Sequence, residues 1–348
     1  MIADMNRNVG NRRVTRMLVA RSQVEGPFDK NAPVHEVQTL RALKEALTQI
    51  QSEGKKPGAL LGSADVSGGN VPDLGSKKGH NIEPKKIHSS LQQFIRGVIW
   101  PDDPKGALFD TPGGTTDYSS GAKWYGEFEF GDKKDPAQLI KRSHYGDLQF
   151  FHGMATEDGQ KPEDTKKKIM EWSKFLTELS TGRIDTKSKV ADNAYAAGLF
   201  PKHKDKTFKE LFGHGAGSDE QIRQRAAGAL MHLIQDAHAK GHVDRDPVTG
   251  EIKEFHAYGQ QDHDKHGHFD AWGKGKTLGD RIKNTPGAER AIEKCKQVLV
   301  MLDQGASTEE VLKFLDEQVF KLAGDAGAAG PGGEFKKEKR EPLPHGKF

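Results

Sequence analysis

The 348-residue chain has one cysteine, Cys295. That excludes a disulfide framework, a thiolate zinc site and a dithiol redox pair, and its place in an apolar helical run marks it as a packing residue. No apolar run approaches the roughly 18 residues of a membrane span. The best apolar stretch near the N-terminus, Met17 to Ala20, is too short for a secretory signal. The chain therefore reads as a soluble protein made in the cytoplasm without a signal peptide. Neither sign of charge dominates: 53 basic and 50 acidic residues leave a net +3, so bulk electrostatics names no nucleic-acid or membrane partner. Hydrophobic residues are also scarce. Their 34% share, even with the 40 glycines added, lies at the low edge of globular composition, so part of the chain is expected outside the packed core. Solenoid-length repeats are absent.

Histidine is what the chain has in excess, and unevenly. Nine of the 15 fall between His203 and His268, where an even spread would place roughly three. Around them, composition and periodicity divide the chain into a basic N-terminal segment (1–25), a helix followed by a Gly/Ser-rich linker (26–83), a helical domain (84–322) and a disordered, Gly/Ala-rich and then mixed-charge tail (323–348). Apolar residues recur with helical period at Val34–Ile50, Ile87–Ile99, Leu148–Met154, Thr165–Thr181, Asp219–Ala239, Ala288–Met301 and Thr308–Leu322. The fold class is mainly α. Two strand signals stand against this background: the alternation Trp124 to Phe130, and a hairpin at Val243–Ala257 turning at Asp246-Pro247-Val248-Thr249-Gly250. The aromatic set Trp100, Trp124, Tyr125, Phe150 and Phe151 reads as core before it reads as a base-stacking platform.

The chemistry concentrates on one predicted helix. His232 and Asp236 are four apart, so both point to one side and can share a metal ion. They face away from the stripe Leu230, Leu233, Ile234 and Ala237, and Gly228 and Ala229 on their own side admit close approach of another element. An isolated H-x3-D would be an ordinary surface pair. Here His242 follows at D-x5-H, and a second H-x3-D, His266 with Asp270, comes 24 residues later. Imidazole and carboxylate bind zinc without thiolate, and a cluster of two or three ions suits in-line attack on a phosphodiester.

This pattern resembles the zinc-dependent phospholipase C and single-strand nuclease superfamily, helical enzymes whose signature is H-x3-D-x5-H followed by H-x3-D or H-x3-E. The match His232, Asp236, His242, His266, Asp270 is complete, and the resemblance spans roughly residues 84–275. Trp100-Pro101-Asp102-Asp103 and Ser143-His144-Tyr145 are similar to the family's upstream elements, with an insertion near Lys105–Leu139, and His88 is similar in position to an early-helix histidine of the phospholipase branch. The resemblance implies a multi-helix phospholipase C/nuclease-like fold with flexible terminal segments. It implies a first zinc on Asp102, His144, His232 and Asp236, a second on His242, His266 and Asp270, and a third ion near His88 bridged by Asp236. The family completes that third site with an N-terminal Trp, and none of the four tryptophans here stands near a terminus. Either other ligands, such as His80, complete it or two ions bind. Asp102 is the carboxylate expected to orient the attacking water. Asp103, His152, His263 and His268 are expected to support the ligands from behind, while His214, His238 and His256 are surface or supporting residues.

Four functional readings follow. The first is a nuclease and the second a phospholipase C with the same chemistry on lipid head groups. The third is a one-metal ββα nuclease built on His242-Val243-Asp244, the hairpin and His263–His268. The fourth is a helical interaction protein with structural zinc. Separately, Asn8-Val9-Gly10-Asn11-Arg12-Arg13-Val14 with Met17–Ala20 resembles the leader on cargo of bacterial extracellular contractile injection systems. That resemblance implies a toxin effector made in a bacterial cytoplasm, loaded through residues 1–25 and injected into a target cell.

Overall fold

The computed structural model describes residues 34–68, 70–71, 87–106, 118–213, 217–262, 265–266 and 273–337, with 118–122 described in backbone only. The protein is mainly helical: α1 (Val34–Ser52), α2 (Gln92–Ile99), α3 (Tyr118–Phe130), α4 (Leu139–Tyr145), α5 (Pro162–Ser180), α6 (Ala194–Leu199), α7 (Phe208–Gly213), α8 (Asp219–Asp236), α9 (Leu278–Lys283), α10 (Ala288–Asp303) and α11 (Thr308–Gln318), with one hairpin, β1 (Val243–Arg245) and β2 (Ile252–Phe255). Among the described residues no helix is long and apolar enough to cross a membrane.

Helix α8 is the axis of the fold. Its start is set locally, because Ser218 Oγ accepts from Gln221 N and Gln221 Oε1 accepts from Ser218 N, with Asp219 and Glu220 completing a first turn that suits the helix dipole. From Gln224 to Asp236 every residue is buried, since α1, α2, α5, α7 and α10 surround it. The crossing with α2 is a backbone-to-backbone contact: a Cβ at Gly228 would collide with the Phe94 carbonyl, and one at Gly97 with the Arg225 carbonyl. This approach carries the turn after α2, with Trp100 and Asp102, toward the C-terminal half of α8.

Three segments differ from their sequence expectation. Trp124 to Phe130 lies in α3 and is not a strand. Trp124 and Phe128 are four apart, a spacing that serves one face of a helix as well as one face of a strand, and both are buried while Phe130 is 78% exposed. Residues 53–68 are docked and are not a free linker: Asp303 at the end of α10 accepts from the amides of Gly58 and Leu61, and Leu60 and Leu61 are buried. Helix α1, drawn with that linker, packs on α2, α8 and α10 in the same core as the segment beyond residue 83. Of the tail expected to be unstructured, residues 323–337 run along the hairpin. Ala323 N donates to Ile252 O, Gly327 N to Lys253 O, and Ala257 N to Gly330 O, while Phe335 is buried. Composition undervalues such a segment because the open edge of β2 satisfies its backbone. Residues 338–348 lie outside the described residues, as do 1–33 and the leader segment within them.

The hairpin forms where expected, antiparallel with Val243 opposite Phe255. Its turn is held by Asp246 Oδ1 accepting from the amides of Val248 and Thr249, and Gly250 takes the left-handed conformation that closes it. Arg245 fastens it to the helices, donating to the Ala237 carbonyl at the end of α8 and to Val319 O after α11.

Candidate metal centre

The C-terminal turn of α8 carries His232 and Asp236 into a buried cluster, with Nε2 of His232 2.9 Å from Asp236 Oδ2. Asp102 arrives on the turn after α2, His144 on the last turn of α4, and His152 at the end of the 3₁₀ turn Gln149–His152. His242 follows α8 directly. All are 4% exposed or less. Asp102 Oδ1 lies 3.8 Å from both His144 Nε2 and His152 Nδ1. His242 Nδ1 stands 3.6 Å from Asp236 Oδ2, and the His242 ring is 4.9 Å from that of His266, which is fully buried. Among the described residues two groups of three can each offer a ligand atom to one ion: Asp102, His152 and His232, and His35, His232 and Asp236.

The donor chemistry fits a cation. Backbone carbonyls can only accept, so the 2.7 Å contact of His144 Nδ1 with Ile140 O and the 2.9 Å contact of His242 Nδ1 with His152 O place the ring proton on Nδ1. Each ring then holds a lone pair at Nε2, the arrangement in which an outer acceptor orients a metal-binding histidine. In the same way, Gln235 Oε1 accepts from His35 Nδ1 at 2.7 Å while Gln235 Nε2 donates to Thr39 Oγ1, leaving His35 Nε2, 3.3 Å from Asp236 Oδ1, as an acceptor facing an acceptor. Two carboxylates buried together in a low dielectric need positive charge close by, from a bound cation or a protonated imidazole.

Without an ion, a proton takes that role. Burial opposes charge on His232, but Asp236 and Asp102 overcome it and push the pKa up to about 9. Burial prevails at His152, pushed down to about 4 despite its hydrogen bond to Asp236. Burial and the neighbouring His232 likewise lower His35. Burial would raise the Asp236 carboxyl, but His232, His242 and His35 hold it well below the usual carboxylate range.

The structure thus brings together Asp102, His144, His232, Asp236, His242 and His266. Asp270, His263 and His268 lie outside the described residues, as do His80 and His214. Asp103 is buried beside Asp102. His88 is not a ligand: helix α2 begins only at Gln92, so His88 sits on the exposed turn before it, with Nδ1 2.8 Å from Ser90 Oγ. His35 on α1 takes the early-helix position instead. Sequence pattern gives no hint of His35 as a ligand because it lies far from the histidine-rich stretch. Its one signal is the polar run His35, Glu36, Gln38 and Thr39 opening a helix that is otherwise apolar on its buried face. His152, expected behind the ligands, stands inside the cluster. His256 is buried elsewhere, under the C-terminal segment.

The chain matches no protein-family model, no curated protein and no solved structure.

Proposed function

We propose that the protein is a metal-dependent phosphodiester hydrolase whose substrate is nucleic acid. The observation that carries this reading is the buried set of Asp102, His144, His232, Asp236 and His242, with lone-pair nitrogens and carboxylate oxygens converging around one turn of α8. Asp102, His144, His152, His232 and Asp236 would hold one ion, His242 and His266 a second, and His35 with Asp236 a third. The resemblance to the zinc phospholipase C and nuclease superfamily makes zinc the ion to test first. Bound divalent cations supply charge for phosphate oxygens and a water of lowered pKa. The chain's own part is to fix the donors: Ile140 O, His152 O and Gln235 hold the rings of His144, His242 and His35 in one tautomer, and Trp124 Nε1 donates to Asp102 O to hold the turn that presents that carboxylate. Asp102 is the carboxylate assigned to orient the attacking water.

Nucleic acid is favoured over a lipid surface because the exposed large hydrophobics among the described residues are Phe130 and Val248, on separate elements. A bilayer-binding enzyme needs a contiguous apolar patch. The hairpin beside His242 and His266 also favours a second reading, a one-metal ββα nuclease that would be indifferent to His232. With the leader-like segment at residues 1–25, the proposed role is that of an injected effector, and deletion of 1–25 should abolish packaging while sparing hydrolysis.

The test is metal content by mass spectrometry, with product release from single-stranded DNA and from phosphatidylcholine, for wild type and His232→Ala. Two or three ions per chain, DNA cleavage, and loss of both in His232→Ala are expected. Cleavage of the lipid alone transfers the reading to a phospholipase C. One ion with unchanged DNA cleavage in His232→Ala selects the ββα reading, and metal without turnover of either substrate leaves a structural centre.

A further inference from the structure

Three donor atoms at the heart of the cluster form a nearly equilateral triangle. His232 Nε2 to His152 Nδ1 is 2.9 Å, His152 Nδ1 to Asp236 Oδ2 is 3.0 Å, and His232 Nε2 to Asp236 Oδ2 is 2.9 Å. Protons satisfy such a triangle only in part: if both nitrogens donate to the carboxylate, two N–H groups stand side by side across the 2.9 Å nitrogen–nitrogen edge, and if one is unprotonated its lone pair meets the carboxylate. A cation capping the face satisfies all three at once.

The donor set says which cation. Two imidazoles and one carboxylate on a single triangular face are the donor set that holds six-coordinate iron(II) with positions left open. Asp102 Oδ1 lies 3.8 Å from the same His152 nitrogen. His152 is essential to the triangle. Without it, His232, Asp236, Asp102 and His144 make four donors, the number a tetrahedral zinc takes.

We propose that His152 is a direct metal ligand and that, with His232 and Asp236, it makes one face of a six-coordinate site that favours manganese(II) or iron(II), relative to zinc, more than the same cluster would without it. This rests on the cluster being a metal centre, and not on phosphodiester hydrolysis. The selectivity is relative, since zinc binds nitrogen and oxygen donors more tightly than manganese in general. His152 is therefore expected to narrow that gap.

The experiment is competitive titration of the metal-stripped full chain with Mn²⁺, followed by electron paramagnetic resonance, and with Zn²⁺, followed by a chromogenic chelator. Wild type, His152→Ala and His152→Asn are compared, with far-UV circular dichroism to confirm that at least one variant is folded. Both variants should lose Mn²⁺ affinity by about 10- to 100-fold and Zn²⁺ affinity by under about threefold, so the Mn/Zn ratio of dissociation constants rises at least about threefold. An unchanged ratio, whether both affinities fall together or neither falls, overturns the proposal. Failure of the wild-type chain to bind both Mn²⁺ and Zn²⁺ overturns the metal centre as well, and both outcomes are read from metal binding alone, independently of hydrolysis.

Discussion

His152 and His256 are both buried, 2% and 0% exposed, yet their surroundings differ. His152 faces Asp236, Asp102 and His232. His256 donates from Nδ1 to Gly241 O, lies against Gly332 and Phe335, and serves to hold the C-terminal segment on the hairpin. Burial lowers the pKa of both. A buried histidine by itself is therefore no sign of a metal site. What separates the two is the buried carboxylate company, because imidazoles converging with desolvated carboxylates can share a cation whereas the His256 ring is anchored through Nδ1 to a backbone carbonyl.

The comparison is broken most severely by His232→Ala, which leaves Asp102 and Asp236 buried without their shared partner. A loss of more than about 100-fold in hydrolysis, together with loss of bound metal, is expected, and plasma mass spectrometry beside the DNA-cleavage assay reads it.

Next comes pH, measured as the urea midpoint of the metal-stripped chain. His232 is raised from 6.5 to about 9, so its contribution is full below pH 6.5 and is lost as pH rises toward 9. His152 is lowered from 6.5 to about 4, so its contribution is full above pH 6.5 and is lost as pH falls toward 4. Stability of the stripped protein should peak near pH 6.5. Added divalent cation should flatten the alkaline limb, because the ion replaces the His232 proton. A midpoint that rises steadily through pH 9 contradicts this assignment.

His256→Ala should behave in the opposite sense to His232→Ala. A cost of about 1–3 kcal/mol from the lost hydrogen bond and the cavity is expected, with faster proteolysis within 323–337 and unchanged metal content. Loss of metal in this variant would erase the distinction between the two histidines. The smallest effect is expected of Gln235→Leu, which removes the acceptor for His35 Nδ1. Metal affinity at the His35–Asp236 position should fall about tenfold, with the ions held by His144 and His242 retained.

Much of the site could be read from spacing. His232 with Asp236 lies one helical turn apart, and the small residues Gly228 and Ala229 announced a close neighbour, which is the turn of α2 at Gly97. Asp102 and His144 entered by likeness of short motifs, and the structure places both in the cluster. His35 and His152 could not be assigned this way. His35 is about 200 positions from Gln235, and its orientation depends on a hydrogen bond across that separation. His152 sits on a single 3₁₀ turn with no helical period to show its direction. His88 misled for a related reason, since a helix boundary four residues later leaves it outside the core.

By itself the sequence determined the helical class, the hairpin turn at Asp246 and Gly250, and the projection of His232 and Asp236 from one side of one helix. These are local consequences of backbone geometry and side-chain period. Tertiary structure alone decided that Trp124–Phe130 is a helix, that 323–337 pairs with the hairpin, and that His35 and His152 meet Asp236 from α1 and a 3₁₀ turn. Each of these depends on which surfaces become buried together, and the burial of two carboxylates among imidazoles, which no local pattern encodes, is what makes the site one that could hold a cation.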